Sequence, residues 1–224
     1  MLKFFSKYKF FAIVMLILSI IIMTAIYNLH KPEPRLRVYQ PNQFTKELVD
    51  STLQRVRKFH KVDDFRLINQ YGDTISQVDF KNKIYITDFF FTTCQTICPV
   101  MTKHMEQIQE AFKNDDEVLL LSHSVTPQID DVERLHKYAA EHNAIKGKWH
   151  LVTGDKKEIY RLARQSYFTT KTTGNGGPYD MVHTENFVLI DKEKRIRGTY
   201  DGTNPDEIEE AIEDIKILKQ EYTK

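Results

Sequence analysis

The only two cysteines of this 224-residue chain lie four positions apart, in Cys94-Gln95-Thr96-Ile97-Cys98-Pro99. The run before them, 83–91 (KIYITDFFF), is β-branched and aromatic and too apolar for a sheet edge, so it reads as a central buried strand. After Pro99, the residues Met101, Met105, Ile108 and Phe112 recur on one helical stripe. The cysteines therefore sit where a buried strand hands over to a helix. Residues i and i+4 are one helical turn apart, so both sulfurs can face one point. The N–H groups and positive dipole of a helix N-terminus favour thiolate over thiol there. Pro99 suits a first turn, where its missing N–H costs nothing. Two thiolates can chelate a soft cation or oxidise to a disulfide. The alternative is a pair of buried structural cysteines, which would require both to cluster at this junction by chance.

A metal site needs a further ligand. Of the eight histidines, His30 and His60 fall in a linker-like stretch, while His104, His136 and His142 are expected on solvated helix faces. His150 alternates with apolar neighbours in a strand. His183 differs: it follows Gly174, Gly176, Gly177 and Pro178 and leads directly into the strand NFVLI, so a loosened loop delivers it. His123 closes the second core strand, at the end where α/β sites open, and is a further candidate for a ligand or a supporting role. Met101 and Met105 could offer thioethers, but their apolar stripe favours core packing. A soft set of two sulfurs and one imidazole suits Cu(I), and the imidazole also supports Cu(II). Zinc competes, although a structural zinc site would want a fourth ligand. Asp88, six residues before Cys94 in an apolar strand, must titrate or be hydrogen-bonded.

Phe91-Thr92-x-Cys94-x-x-Ile97-Cys98-Pro99, with His183-Thr184 before a strand, resembles the Sco/SenC family. Its members are membrane-anchored, thioredoxin-like copper proteins that assist cytochrome c oxidase assembly, and the resemblance covers roughly residues 61–224. It implies that Cys94 and Cys98 are copper-binding thiolates and His183 the third ligand. It also implies a copper-donor or thiol-reductant role toward the dinuclear copper centre of oxidase subunit II, with an upstream copper donor or thiol reductant as a further partner. Likeness to thioredoxins, which keep a buried acid behind the dithiol, adds Asp88 as a candidate proton relay beside a purely structural role. The pattern departs from the family at Gln95-Thr96, usually Pro-Asp, and at Val182, where an Asp is common. Thr126-Pro127-Gln128-Ile129 replaces the usual Asp-Pro-x-Arg. Two other classes compete with a metallochaperone. A thiol–disulfide oxidoreductase usually has C-x-x-C, whereas three intervening residues favour chelation. A peroxiredoxin-like peroxidase would need an arginine near its cysteine, and none lies between Arg66 and Arg134.

The elements that must position these groups follow from periodicity. Strands are expected on either side of the turn at 71–73, at 83–91, 118–121, 149–152, 187–190 and 195–200, with helices after Pro99, over 130–142, over 156–166 and from Pro205. This alternation of strands and helices predicts an α/β sandwich around a mixed sheet, thioredoxin-like by the resemblance. Phe10 to Tyr27 carries no charge and as a helix would reach about 27 Å, enough for a bilayer core. The run exceeds a usual signal-peptide core, and no small-x-small cleavage site follows it. The expected organisation is a cytoplasmic tail (1–9), a transmembrane anchor (10–27), a proline-interrupted stalk (28–60) with one helix over 42–61, and the thioredoxin-like domain (61–224). Basic residues are balanced across the anchor: Lys3, Lys7 and Lys9 precede it, and Lys31, Arg35 and Arg37 follow. A single-pass protein of a bacterial plasma membrane, with its domain on the extracytoplasmic side, is the expected placement. With 32 Lys+Arg against 31 Asp+Glu, the chain lacks the basic excess of a nucleic-acid binder. At 41% hydrophobic and 28% charged, it is neither disordered nor a polytopic membrane protein.

Overall fold

The apolar run before the cysteines forms strand β3 (Ile84–Phe90), buried at every position. Residues 8–30, 35–171, 174, 177 and 180–223 are described by the computed structural model; residues 1–7 of the expected tail, and Gly176 and Pro178 of the glycine-rich loop, lie outside them. The strands β1 (Arg66–Asn69), β2 (Thr74–Ser76), β4 (Val118–Ser124), β5 (Trp149–Thr153), β6 (Asn186–Ile190) and β7 (Ile196–Asp201) join β3 in one sheet, ordered β2-β1-β5-β4-β3-β6-β7. β3, β4 and β5 run parallel, and the outer pairings are antiparallel. This is the mixed sheet expected, with β3 flanked on both sides.

The helices are numbered from the apolar N-terminal α1 (Lys9–His30). α2 (Cys98–Phe112), α3 (Val132–Glu141) and α5 (Pro205–Tyr222) cover one face of the sheet. There Ile84, Ile86 and Phe90 meet Met101, Met105 and Ile108 of α2, Leu135 of α3 and Ile215 of α5. Met101 and Met105 are fully buried, as their stripe predicts, and belong to the core. The opposite face packs Tyr85, Phe89 and Leu121 against Phe65, Phe80, Tyr160, Tyr167 and Phe168. Its helix is α4 (Lys156–Arg161), which continues as a π turn through Leu162–Ser166. Side-chain caps start three helices: Asp131 on α3, Asp155 on α4 and Asn204 on α5, the last followed by Pro205.

The chain divides into two compact units, Met1–Arg35 and Leu36–Lys224. In the first, α1 has a stretch, Lys9–Tyr27, that is long and apolar enough to cross a membrane, with none of its window buried. Its Thr24 hydroxyl is satisfied inside the helix by the Ile20 and Ile21 carbonyls. The second unit begins earlier than the expected boundary at 61. Residues 36–60 are not a solvated stalk, and the expected helix over 42–61 is replaced by a 3-10 turn at Pro41–Gln43 and further turns. The Tyr39 N–H donates to the Ile196 carbonyl at 2.8 Å, so the chain runs along the outer edge of β7. The buried Arg197 guanidinium donates to the Leu36 carbonyl at 2.8 Å and to both Glu221 oxygens, while the Leu36 N–H returns a bond to Glu221. Val49 is buried, and the His60 ring lies 4.6 Å from that of Phe168. Pro32 and Pro34 lie outside the described residues, and Pro41 opens the 3-10 turn; what the proline spacing could not show was that the chain at Tyr39 would find a sheet edge.

Strand alternation decides where His123 points. Thr87 of β3 shares its face, with the Thr87 hydroxyl 3.1 Å from His123 Nδ1. The ring stacks on Phe89 at 4.7 Å and meets Phe65 and Tyr167. Burial depresses its pKa to about 3. The folded state thus holds His123 neutral, whereas an unfolded chain takes up the proton near pH 6.5. Stability on this account is intact above pH 6.5 and declines as pH falls toward 3, by roughly 1 kcal/mol per pH unit. His123→Phe should therefore flatten the acid limb of thermal stability between pH 6 and 4, with little change at pH 7. Equal pH dependence in the variant and the parent would refute this.

Candidate metal centre

β3 ends at Phe90, and the chain turns through Phe91–Ile97 before α2 begins at Cys98 itself. The helix starts a residue before Pro99, which occupies the first turn, so Cys98 rides on α2 and Cys94 in the turn ahead of it. Two contacts hold this turn at its root. The Val125 N–H donates to the Phe90 carbonyl at 2.8 Å. The fully buried Asp130 accepts from the Thr92 hydroxyl at 2.5 Å and the Thr92 N–H at 3.2 Å, and also from Ser124 and Thr126. A buried carboxylate met by four donors is tightly placed, so the turn inherits its position from the loop after β4.

The two thiols are unequal, where the helix dipole alone suggested that both would ionise readily. Partial burial works against the Cys94 thiolate, but bonds from the Thr96 hydroxyl and the Cys98 and Thr96 N–H groups outweigh it and lower the pKa to about 7. The Thr96 hydroxyl lies 3.5 Å from the Cys94 sulfur. Cys98 is buried, and that burial pushes its thiol up to about 12; the neighbouring Cys94 and Asp88 charges add to the rise. The Cys98 thiol also hydrogen-bonds the Cys94 sulfur, so the sulfurs are brought together, and both are free thiols.

Asp88 stands on the same face as α2. It is 2% exposed, and burial raises its carboxyl to about 7 despite a bond from the Ser122 hydroxyl. Ser122 is itself fixed by the Trp149 indole N–H at 2.9 Å. The Asp88 Oδ1 atom has no hydrogen-bond partner. An acid that titrates near neutrality, with a free oxygen and an electrostatic link to Cys98, has the properties a proton acceptor needs.

His183 is exposed between two buried neighbours, Val182 and Thr184, and its ring lies 6.3 Å from that of Phe91. Phe91 packs against the cores on both faces of the sheet, and its carbonyl accepts the Cys94 N–H at 3.2 Å. The dithiol packs with the α2 face, and the imidazole lies beside Phe91. Among the described residues no three His, Cys, Asp or Glu side chains are gathered closely enough to hold a metal ion. The structure brings Cys94 and Cys98 together and leaves His183 adjacent but not closed on them. As a donor set, an ionisable thiol, a second thiol and an accessible imidazole fit a soft ion of low coordination number.

The other candidates are not part of this group. His123 faces the core opposite α2, which overturns the expectation that the end of β4 would turn it toward the site. His104 is not solvated as expected: it is buried, with Nδ1 2.7 Å from the Gly202 carbonyl. His142 is half-buried on Glu106 at 2.7 Å, and His136 is exposed beside Tyr71. Thr96 and Asp130 were missed by the sequence reading. Thr96 carried a signal, a hydroxyl between two cysteines at a helix start. Asp130 carried none, because its partners lie 4 to 38 residues away.

A family model described as SCO1/SenC matches residues 54–220. The chain is 31% identical over 159 residues to the SCO1 protein homolog of Bacillus subtilis (strain 168), covering 70% of this chain and 82% of that protein. It is similar to the solved structure of BsSco, described as a member of the Sco family of cytochrome c oxidase assembly proteins in which a disulfide switch was identified. The TM-score is 0.60 at 30% identity, over 71% of this chain and 93% of that one. ScoI of Bradyrhizobium japonicum, solved with copper bound, gives a TM-score of 0.57 at 25% identity, over 70% and 99% of the two chains. Because the matched stretch takes in both cysteines, His183 and every strand of a thioredoxin-like sheet, the chain belongs to the SCO1/SenC family.

Proposed function

We propose that this protein is a membrane-anchored copper metallochaperone that loads the dinuclear copper site of cytochrome c oxidase subunit II, or keeps that site's thiols reduced. α1 would be the anchor, in a bacterial plasma membrane, with the compact unit on the extracytoplasmic side. Cys94, Cys98 and His183 would hold the ion. The observation that carries this reading is the unequal thiol pair beside an exposed imidazole, joined through Phe91. A permanent site would close all its ligands around the metal, whereas cargo has to leave.

The residues suggest an order of events. Cys94 ionises around neutrality and offers the first sulfur. Cys98 must lose a proton before it can ligate, and Asp88 can receive it on its unpartnered oxygen. His183, exposed and resting only against a ring in the described contacts, is the donor most easily engaged and released. Copper enters and leaves as substrate, with no net redox change in the protein.

The same asymmetry favours a second reading, a thiol–disulfide oxidoreductase acting on extracytoplasmic cysteines. The Cys94 thiolate would attack a partner disulfide, forming a mixed disulfide and releasing one partner thiolate. Cys98 would pass its proton to Asp88 and attack Cys94, giving the Cys94–Cys98 disulfide and the partner's second thiolate. Two electrons move from this dithiol to the partner, and the proton count closes through Asp88 and solvent.

Three measurements on the full-length chain in detergent test these readings. Wild type should bind one Cu(I) per chain under reducing conditions, and His183→Ala should bind it at least about tenfold more weakly, with dithiol oxidation largely unchanged; an unaltered affinity would remove His183 from the ligand set. The Cu(I) binding constant should rise about tenfold per pH unit above pH 8, where only Cys98 still surrenders a proton, and more steeply below pH 6, where Cys94 also does. A pH-independent constant would sink the dithiolate assignment. Asp88 has its folded pKa raised, so its contribution to stability is full below pH 4 and is lost as pH rises through about 7. Asp88→Asn should therefore gain on the order of 4 kcal/mol at pH 8 and nothing at pH 4, while slowing disulfide exchange at pH 7. Unchanged exchange would reduce Asp88 to a structural role.

A further inference from the structure

Three residues before His183, Asp180 is held by donors from one helix. Its carboxylate accepts both terminal nitrogens of Arg164, at 2.7 and 2.6 Å, in a fork whose side chains are 8% and 12% exposed. Lys156 donates to the Asp180 carbonyl at 2.8 Å and to that of Gly177 at 2.9 Å. The Tyr160 hydroxyl lies 3.2 Å from the Asp180 carbonyl and 2.9 Å from that of Val125, and the Val182 N–H bonds to the same hydroxyl. Both cations lie over the Tyr160 ring.

The local backbone is shaped for this grip. Arg164 belongs to the π turn Leu162–Ser166, an irregularity that changes where a side chain leaves a helix. Gly174 has φ +125°, and a Cβ there would collide with Arg164 and Asp180, so the chain passes where no side chain fits. One bidentate pair would suffice to tether a loop. Here the same hydroxyl touches Val182, next to His183, and Val125, whose N–H holds the Phe90 carbonyl at the root of the dithiol turn.

We infer that Arg164, Lys156 and Tyr160 are positioning residues for the third copper ligand: they clamp Asp180 and so set the offset between the His183 imidazole and the Cys94–Cys98 sulfurs. The inference rests on the reading of His183 as a ligand. The Arg164 fork on Asp180 touches no part of the dithiol turn, so its loss acts through His183 and leaves the thiols to bind and oxidise as before.

The test is a double-mutant cycle on the full-length chain in detergent, read by Cu(I) competition with a chromophoric chelator. Arg164→Met and Tyr160→Phe should each weaken Cu(I) binding about 10-fold or more, the range for residues that orient a ligand. Arg164→Lys, which keeps charge but loses the fork, should fall between Arg164→Met and wild type. In a His183→Ala background none should weaken binding further, and the rate of Cys94–Cys98 disulfide formation should not change. In the Cu(II) form, electron paramagnetic resonance should show the imidazole nitrogen coupling reduced in the clamp variants. Should Arg164→Met fail to fold, Tyr160→Phe keeps the buried ring and carries the same comparison. If His183→Ala weakens binding and the clamp variants do not, or if they weaken it equally without His183, the clamp is overturned while the ligand reading stands. If His183→Ala costs no affinity, the ligand reading falls and the clamp with it.

Discussion

The end of β3 is the constraint on which the rest depends. A strand buried on both faces must stop, turn, and start a helix without exposing its last aromatic residues. Phe90 stays in one core and Phe91 touches both, so the chain is fixed in space at the point where Cys94 follows. Val125 and Asp130 satisfy the backbone and hydroxyl groups that this turn would otherwise leave unpaired. Everything reactive is arranged around that terminus: a sulfur in the turn, a sulfur on the helix, a carboxyl two residues inside the strand, and an imidazole beside Phe91.

The electrostatics follow from depth rather than from the helix dipole. Cys94 lies near the surface among N–H and hydroxyl donors, while Cys98 and Asp88 lie in the core and share a desolvated space. Burial raises both acids and each discourages the other's ionisation, so near neutral pH Cys98 keeps its proton while Asp88 is poised to titrate. Holding a soft ion and shuttling electrons ask the same thing of this pair, one thiol ready to act and one held in reserve. The copper bound by the Bradyrhizobium relative and the disulfide switch of BsSco are intelligible on that basis.

Much of this was legible in the chain. The strands and helices were marked by their periodicity, and the strand–dithiol–helix junction by the apolar run 83–91, the cysteine spacing and Pro99. Met101 and Met105 were readable as core from one stripe. Periodicity is local, however, and most of the misses are long-range. His104 looked solvated because nothing nearby reveals that Gly202 would come to cover it. His123 was read as a candidate at the end of β4, but a strand buried on both sides gives no alternation from which to read its face. Asp130 and Arg164 act on residues distant in sequence, and a π turn has no signature in composition. Residues 36–40 looked like linker because chain laid against a sheet edge and chain in water share one vocabulary.

That last segment has a bearing on how the sheet is protected from its neighbours. β7 is the outermost strand on its side, and a bare outer strand is a template for pairing with another chain. The Tyr39 bond to Ile196, with the Leu36 backbone locked on Arg197 and Glu221, occupies part of that margin. A fragment trimmed at residue 61 would leave the Arg197 guanidinium uncovered on one side and a hydrogen-bonding rim open to self-association. The residues that lead into the fold are thus also its guard against aggregation.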